Sequence, residues 1–191
     1  MKVIEFRYLN NTDSYDKKIN EYVSLAAWSR PYEYSFVLDV IERENSKNIK
    51  VHNTSWGFAD VHDILRKQLN SLYECVHSDI RSSNHPKTKV WNIKDPPSNE
   101  ELNFYDVVVN VSTVEEVEGN HVEILKNLLS MVKPNGILIV TMDVPGAQIY
   151  EISNWLEQNV KETGQKLNGS NSSLPNMNYS NLNVVALVVR K

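Results

Sequence analysis

Hydrophobic residues along the chain fall into short continuous runs that alternate with stretches of helical periodicity. The runs that predict strands are NIKVHN, YECVHSDI, KVWNI, YDVVVNVS, ILIVTMDV and LNVVALVVRK. Apolar residues recur every three or four positions in SRPYEYSFVLDVIEREN, DVHDILRKQLNSL, HVEILKNLLSMV and YEISNWLEQNVKET, which predicts helices. The turn residues KPNG are predicted to separate HVEILKNLLSMV from ILIVTMDV. This alternation predicts an α/β three-layer sandwich, with a mostly parallel, doubly wound sheet flanked by helices.

The two ends of the chain are less regular than its middle. KVIEFRYLN predicts an edge strand, and Tyr15 to Trp28 shows a weak helical pattern. The polar segment 168–181 is predicted to be a long loop, and the last strand follows it. We interpret the chain as one domain, with a lead-in at 1–46, a core at 47–146 and a C-terminal segment at 147–191.

Composition narrows the class of protein. The 191 residues suit a single domain, and one cysteine, Cys75, excludes an internal disulfide and a cysteine zinc cluster. The net charge of −4 and the pI of about 5.7 argue against a broad nucleic-acid surface. No apolar run approaches the roughly 20 residues needed to cross a bilayer. We therefore expect a cytoplasmic protein with a small-molecule partner, no nucleic acid and no membrane.

Ligands of open parallel sheets bind at the carboxyl ends of the strands, near the point where strand order reverses. The residues to consider are therefore those that follow each predicted strand. They are Asn53 to Phe58, Asp79, Asn92 to Pro96, Asn110 to Glu116 and Thr141 to Gly146.

The segment YDVVVNVSTVEEVEGNHVEILKNLLSMVKPNGILIVTMDVPG resembles the class I, Rossmann-like S-adenosylmethionine-dependent methyltransferases. In that family a strand of this type is followed by a polar turn, a helix, a Pro-Gly-type turn and a second buried strand. The resemblance covers about residues 28 to 146 and the last strand. It implies a methyltransferase fold whose last strand is antiparallel, with S-adenosylmethionine as the cofactor.

The resemblance places the cofactor loop at VHNTSWGF, where the family has a glycine-rich motif and this chain has a glycine-poor one. If the Trp56 ring points inward, it takes space that the cofactor needs, and if it points outward, it forms a wall. Asp79 matches a ribose-binding acid or is a turn cap, and Asn92 matches the adenine position. The implied cofactor-binding residues are Asn53, Thr54, Ser55, Trp56, Gly57, Asp79, Asn92 and Asn110.

Glu115 and Glu116 stand where the family often has a Glu-His pair. Glu115 is the candidate catalytic base if burial raises its pKa; otherwise both glutamates complement a helix dipole. Arg30 is a candidate ligand for a carboxylate or simply part of a helix start. Together with Glu116 and Asn171 it forms the predicted substrate-binding set. The five histidines lack the spacing of a helical zinc site, so we predict no metal.

Two functions follow as hypotheses. The first is methyl transfer from S-adenosylmethionine to an oxygen or nitrogen of a small acceptor, such as a sugar or another metabolite. The second is a catalytically inactive methyltransferase-like binding or assembly protein, which the missing glycines and the missing histidine favour. The sequence is compatible with a homodimer.

Overall fold

The computed structural model describes residues 1–9, 13, 29–44, 48–56, 60–160 and 183–191. The weakly helical segment and the long polar loop predicted near the two ends of the chain lie outside the described residues, as do Gly57 and Asn171.

Seven strands and four α-helices make up the described fold, and they follow the predicted order. The strands are β1 (Lys2–Tyr8), β2 (Lys50–Thr54), β3 (Glu74–Asp79), β4 (Thr88–Val90), β5 (Tyr105–Val111), β6 (Val132–Val144) and β7 (Asn183–Arg190). The α-helices are α1 (Arg30–Glu44), α2 (Asp60–Leu72), α3 (His121–Met131) and α4 (Ile149–Asn159). Single 3₁₀ turns occur at Asn99–Glu101 and Val114–Glu116.

The strands form one sheet in the order β1-β7-β6-β5-β2-β3-β4. Strands β2 to β6 run parallel to one another, whereas β7 is antiparallel to both β6 and β1. The predicted mostly parallel sheet with an antiparallel last strand is confirmed, and β1 lies at an edge as predicted. Strand order reverses between β2 and β5, since the chain continues from β2 towards β3 and from β5 towards β6.

Helices cover both faces of the sheet, because alternate side chains of a strand point to opposite faces. Val107 and Val109 of β5 pack in one core with the apolar residues of α1 and α2. Val108, between them, packs in a second core with α3 and α4. All three valines are fully buried, as expected for a strand covered on both faces. The three-layer α/β prediction is therefore confirmed.

Element boundaries differ from the prediction at two strands. β6 begins at Val132, so KPNG belongs to the strand rather than to a turn before it. The backbone there is irregular, because the β5–β6 register shifts between Tyr105 and Val107. A Cβ on Gly136 would lie 2.6 Å from the Asp106 carbonyl oxygen, so glycine permits this close approach. The third predicted strand is short, since β4 ends at Val90.

Candidate functional site

A cavity lies at the carboxyl ends of β2 and β5, the two neighbouring strands between which strand order reverses. This is the position at which open α/β sheets bind ligands. Its volume is about 120 Å³, which is less than the ~300–1,000 Å³ of most small-molecule sites. The lining residues come from α1, α2 and the two strand ends: Arg30, Tyr34, Asn53, Ser55, Trp56, Leu65, Val111, Ser112 and Thr113.

Two serines of the lining have a left-handed backbone. Ser55 follows β2 with a φ of 54°, and Ser112 follows β5 with a φ of 39°. Each is held by a hydrogen bond to the next strand, from the N–H of Ser55 to the carbonyl of Ser78 at 2.7 Å and from the N–H of Ser112 to the carbonyl of Thr141 at 2.9 Å. Such a conformation costs a non-glycine residue about 1–3 kcal/mol and is common at binding sites. The loop therefore has a glycine-type backbone at Ser55 without a glycine there.

Trp56 forms one wall of the cavity. Its side chain is 5% exposed. The Arg66 guanidinium of α2 lies over the ring at 5.5 Å from the centroid. The His85 ring meets it edge-on, with the centroids 5.2 Å apart. The ring packs against α2 and the loop after β3, and it lines the cavity. Its role as a wall against a bound ligand stays a prediction.

The α1 side of the lining carries an ion pair. Nη1 of Arg30 donates to Oε2 of Glu33 at 2.5 Å, and both side chains are buried. Arg30 lines the cavity and Glu33 does not. The pKa of Glu33 is lowered, because burial is outweighed by the charge of Arg30 together with the hydroxyl groups that donate to Glu33. The pKa of Arg30 is raised, because the loss of solvation is outweighed by Glu33, Tyr34 and Asp143 acting together.

Three predicted cofactor residues of β2 and β5 differ in their contacts. Asn53 lines the cavity, and its amide lies 3.4 Å from Nδ1 of His77. The Thr54 hydroxyl donates to the Val109 carbonyl at 2.8 Å and accepts from the Asn110 amide at 3.0 Å. Oδ1 of Asn110 is buried and has no hydrogen-bond partner among the described residues. Thr54 and Asn110 are therefore part of the sheet interior rather than of the lining.

Asp79 and Asn92 lie at the ends of β3 and β4, outside the cavity lining. Oδ1 of Asp79 accepts the Arg81 N–H at 3.1 Å, and Oδ1 of Asn92 accepts the Lys94 N–H at 3.0 Å. Both contacts are typical of turns that follow strands. A role in holding a nucleoside stays a prediction for both residues.

Glu115 and Asp143 form an acidic pair beside the network of Arg30 and Glu33. The Asp143 N–H donates to Oε1 of Glu115 at 2.7 Å, while Oε2 of Glu115 and Oδ1 of Asp143 are buried without partners among the described residues. Burial raises the pKa of Glu115 to about 8. Burial and the nearby charge of Glu33 raise the pKa of Asp143 to about 7. Neither residue lines the cavity, and Glu116 is exposed.

Sequence reasoning underestimated three residues of this region. Glu33 is not among the predicted site residues, yet it is fully buried and bonded to Arg30 of the cavity lining. Tyr34 lines the cavity, and Asp143 follows the buried part of β6. The signal for Asp143 was present, because Thr141 to Gly146 was among the predicted strand ends. The sequence gives no such signal for the burial of Glu33, because glutamate is also favoured in the first turn of a helix where the side chain is exposed.

Two features are absent from the described part of the chain. No three His, Cys, Asp or Glu side chains there come together as metal ligands. No helix there is long and apolar enough to span a bilayer.

Comparison with known proteins identifies the fold. No protein-family model matches the sequence, and no curated protein matches it. The CurJ carbon methyltransferase is 13% identical with a TM-score of 0.59, covering 91% of this chain and 58% of that one. The CMeT domain of the citrinin polyketide synthase is 15% identical with a TM-score of 0.52, covering 82% and 50%. The [4+2]-cyclase SpnF is 10% identical with a TM-score of 0.53, covering 87% and 84%. This chain thus spans about half the length of the two methyltransferase structures, and its fold is the Rossmann-like fold of class I methyltransferases.

Proposed function

We propose that this protein is a methyltransferase that uses S-adenosylmethionine and acts on a small acceptor such as a sugar or another metabolite. The observation that carries the proposal is the position and lining of the cavity. It lies at the switch point of the sheet and combines a cation, amide and hydroxyl donors, and an aromatic wall. Those are the groups needed for a ligand with a carboxylate at one end and a purine at the other.

The polar end of the cofactor fits the residues present. The guanidinium of Arg30 suits a carboxylate, because its planar fork can donate two parallel hydrogen bonds. The side chains of Asn53 and Ser55 stand on the same lining and offer further polar contacts. The Trp56 ring offers a face or edge to a flat base. Asp79 would hold the ribose hydroxyls, and Asn92 the adenine amino group through its amide oxygen.

S-adenosylmethionine supplies an electrophilic methyl group on a sulfonium. The chain contributes chiefly position, since a bound acceptor held in line with the methyl group reacts as if at very high concentration. When bound, S-adenosylmethionine would supply the methyl group to a lone pair of the acceptor, the electrons of the broken carbon–sulfur bond would remain on sulfur, and the acceptor would lose a proton. Glu115 is the candidate to take that proton, because burial raises its pKa to about 8. Glu116 and Asn171 are the residues proposed to orient the acceptor.

The acceptor atom is proposed to be oxygen or nitrogen. The CurJ structure is that of a carbon methyltransferase. An acceptor screen should therefore include acidic carbon acceptors beside hydroxyl and amine compounds.

A second candidate function is a binding or assembly role without catalysis. It is favoured by the small volume of the cavity and by the strained serine that replaces a flexible residue at position 55. The same fold occurs in SpnF, a cyclase. A methyltransferase fold therefore does not by itself imply methyl transfer.

Calorimetric titration with S-adenosylmethionine and S-adenosylhomocysteine separates the two functions. We expect micromolar binding by the unaltered chain and loss of that binding in Asp79→Ala. Asp95→Ala is the matched control, because Asp95 is an exposed acid in a turn. If neither ligand binds at millimolar concentration, the methyltransferase function is excluded, and the binding or assembly role without catalysis is favoured.

A further inference from the structure

Glu33 is a fully buried carboxylate in the first turn of α1, and it connects three parts of the fold. Oε2 accepts from the Ser29 hydroxyl at 2.8 Å and from Arg30 at 2.5 Å. Oε1 accepts from the hydroxyls of Ser112 at the end of β5 and Thr141 in β6, the latter at 2.7 Å. Four donors therefore converge on one side chain from α1 and two parallel strands.

Two of these donors also line the cavity. Arg30 and Ser112 face it from α1 and β5, whereas Glu33 contacts both from outside the lining. Burying an arginine without a carboxylate partner would cost folding free energy. The long arginine side chain also has many rotamers, so its position depends on its partners. The bond to Glu33 thus constrains the position of the Arg30 guanidinium at the cavity wall.

We propose that Glu33 is a positioning residue that holds Arg30 and Ser112 in the orientation that receives the carboxylate of the ligand. The inference rests on the proposed function, in which Arg30 binds the carboxylate of S-adenosylmethionine. Glu33 itself touches no ligand in this arrangement. Its effect on binding passes through Arg30, which distinguishes it from an acid at the start of a helix that only stabilises the fold.

A cycle of four proteins tests this coupling: the unaltered chain, Arg30→Met, Glu33→Gln and the double variant. The ligand measurement is calorimetry with S-adenosylhomocysteine. We expect Glu33→Gln to weaken binding by about tenfold or more, because an amide no longer orients the guanidinium. Adding Glu33→Gln to Arg30→Met should cause no further loss, since the residue through which Glu33 acts is then absent.

The same four proteins are compared without ligand by urea unfolding. Arg30→Met leaves a buried carboxylate without its cation, and removing the carboxylate as well relieves that cost. The double variant should therefore unfold at a higher urea concentration than Arg30→Met. If Arg30→Met does not fold and the double variant does, the coupling is shown in its strongest form.

Thr141→Val is the matched control, because it removes one hydrogen bond to Glu33 from the side of the sheet. It should lower the urea midpoint and leave the ligand affinity within about twofold. Binding by Glu33→Gln at the affinity of the unaltered chain would overturn the inference, as would additive losses in the cycle. If the unaltered chain binds no S-adenosylhomocysteine, the proposed function fails, and the urea cycle alone decides: additive midpoints refute the coupling.

Discussion

Replacing Glu115 by glutamine should make the stability of the protein less sensitive to alkaline pH. The carboxyl has an ordinary pKa of 4.5, and burial raises it to about 8 in the folded chain. Below the lower value the group is protonated in both states. Between the two values the unfolded chain releases the proton while the folded chain keeps it, so the free energy of unfolding falls as pH rises. The loss is complete above the folded pKa.

The size of the effect follows from the two pKa values. The difference between 4.5 and about 8 corresponds to at most roughly 5 kcal/mol, at about 1.4 kcal/mol for each tenfold change in proton affinity. Solvent screening reduces this figure, because Glu115 is partly rather than fully buried. We therefore expect Glu115→Gln to reduce, by about 2–3 kcal/mol, the fall in the free energy of unfolding between about pH 5 and about pH 9. The amide oxygen can keep the hydrogen bond from the Asp143 N–H.

Urea unfolding of both proteins at about pH 5 and about pH 9 measures the effect. Glu118→Gln is the control, because Glu118 is an exposed glutamate three positions further along the chain. It should retain the alkaline loss of the unaltered protein. If Glu115→Gln shows the same alkaline loss as Glu118→Gln, Glu115 is ionised in the folded chain at neutral pH, and the argument for it as a base with a raised pKa is refuted.

Three further variants test the backbone and the buried histidine. Ser55→Gly should raise the free energy of unfolding by about 0.5–1 kcal/mol in urea, because glycine adopts the left-handed conformation without strain; no gain would contradict strain at that position. Gly136→Ala should lower it by about 2 kcal/mol or more, since the new Cβ would meet a backbone carbonyl of β5; tolerance of alanine would refute that packing. Burial lowers the pKa of His77 to about 4, so the protein should lose stability as pH falls from 6.5 to 4. His77→Gln should lose about 2 kcal/mol less over that interval, and an equal acid loss would show that the imidazole is not buried in its neutral form.

Periodicity predicted the elements well where burial is uniform along one face. The predicted helix DVHDILRKQLNSL has the bounds of α2, and YDVVVNVS differs from β5 by a single residue. The predicted start of β6 was wrong, because a proline and a glycine such as those in KPNG usually mark a turn. In the structure these residues lie in β6, where its register with β5 is irregular. That irregularity accompanies the close approach of Gly136 to β5, a contact between distant parts of the sequence.

The location of the cavity was predictable because it follows from topology. Once the strands are taken as parallel, their carboxyl ends must share one edge of the sheet, and Asn53, Ser55 and Trp56 do line one cavity with Arg30. The buried contacts of Glu33 and the raised pKa of Glu115 were not predictable from the sequence. Glu33 reaches Ser112 and Thr141, which are 79 and 108 positions away along the chain. The raised pKa of Glu115 likewise depends on burial by segments that sequence periodicity does not bring together.

For the loop after β2, the lack of glycines is weaker evidence against ligand binding than the sequence alone suggests. A glycine-rich loop is useful because its backbone can turn through the left-handed region and leave space for a ligand. At Ser55 the chain makes that turn with a serine, held by Ser78. The Trp56 ring packs under Arg66 and lines the cavity. At Ser55 the backbone therefore has, at some cost in strain, the left-handed conformation for which a glycine is ordinarily used. The calorimetric titration decides whether a loop with this backbone at Ser55 binds the cofactor, because backbone strain is a reason to suspect a binding site and not a demonstration of one.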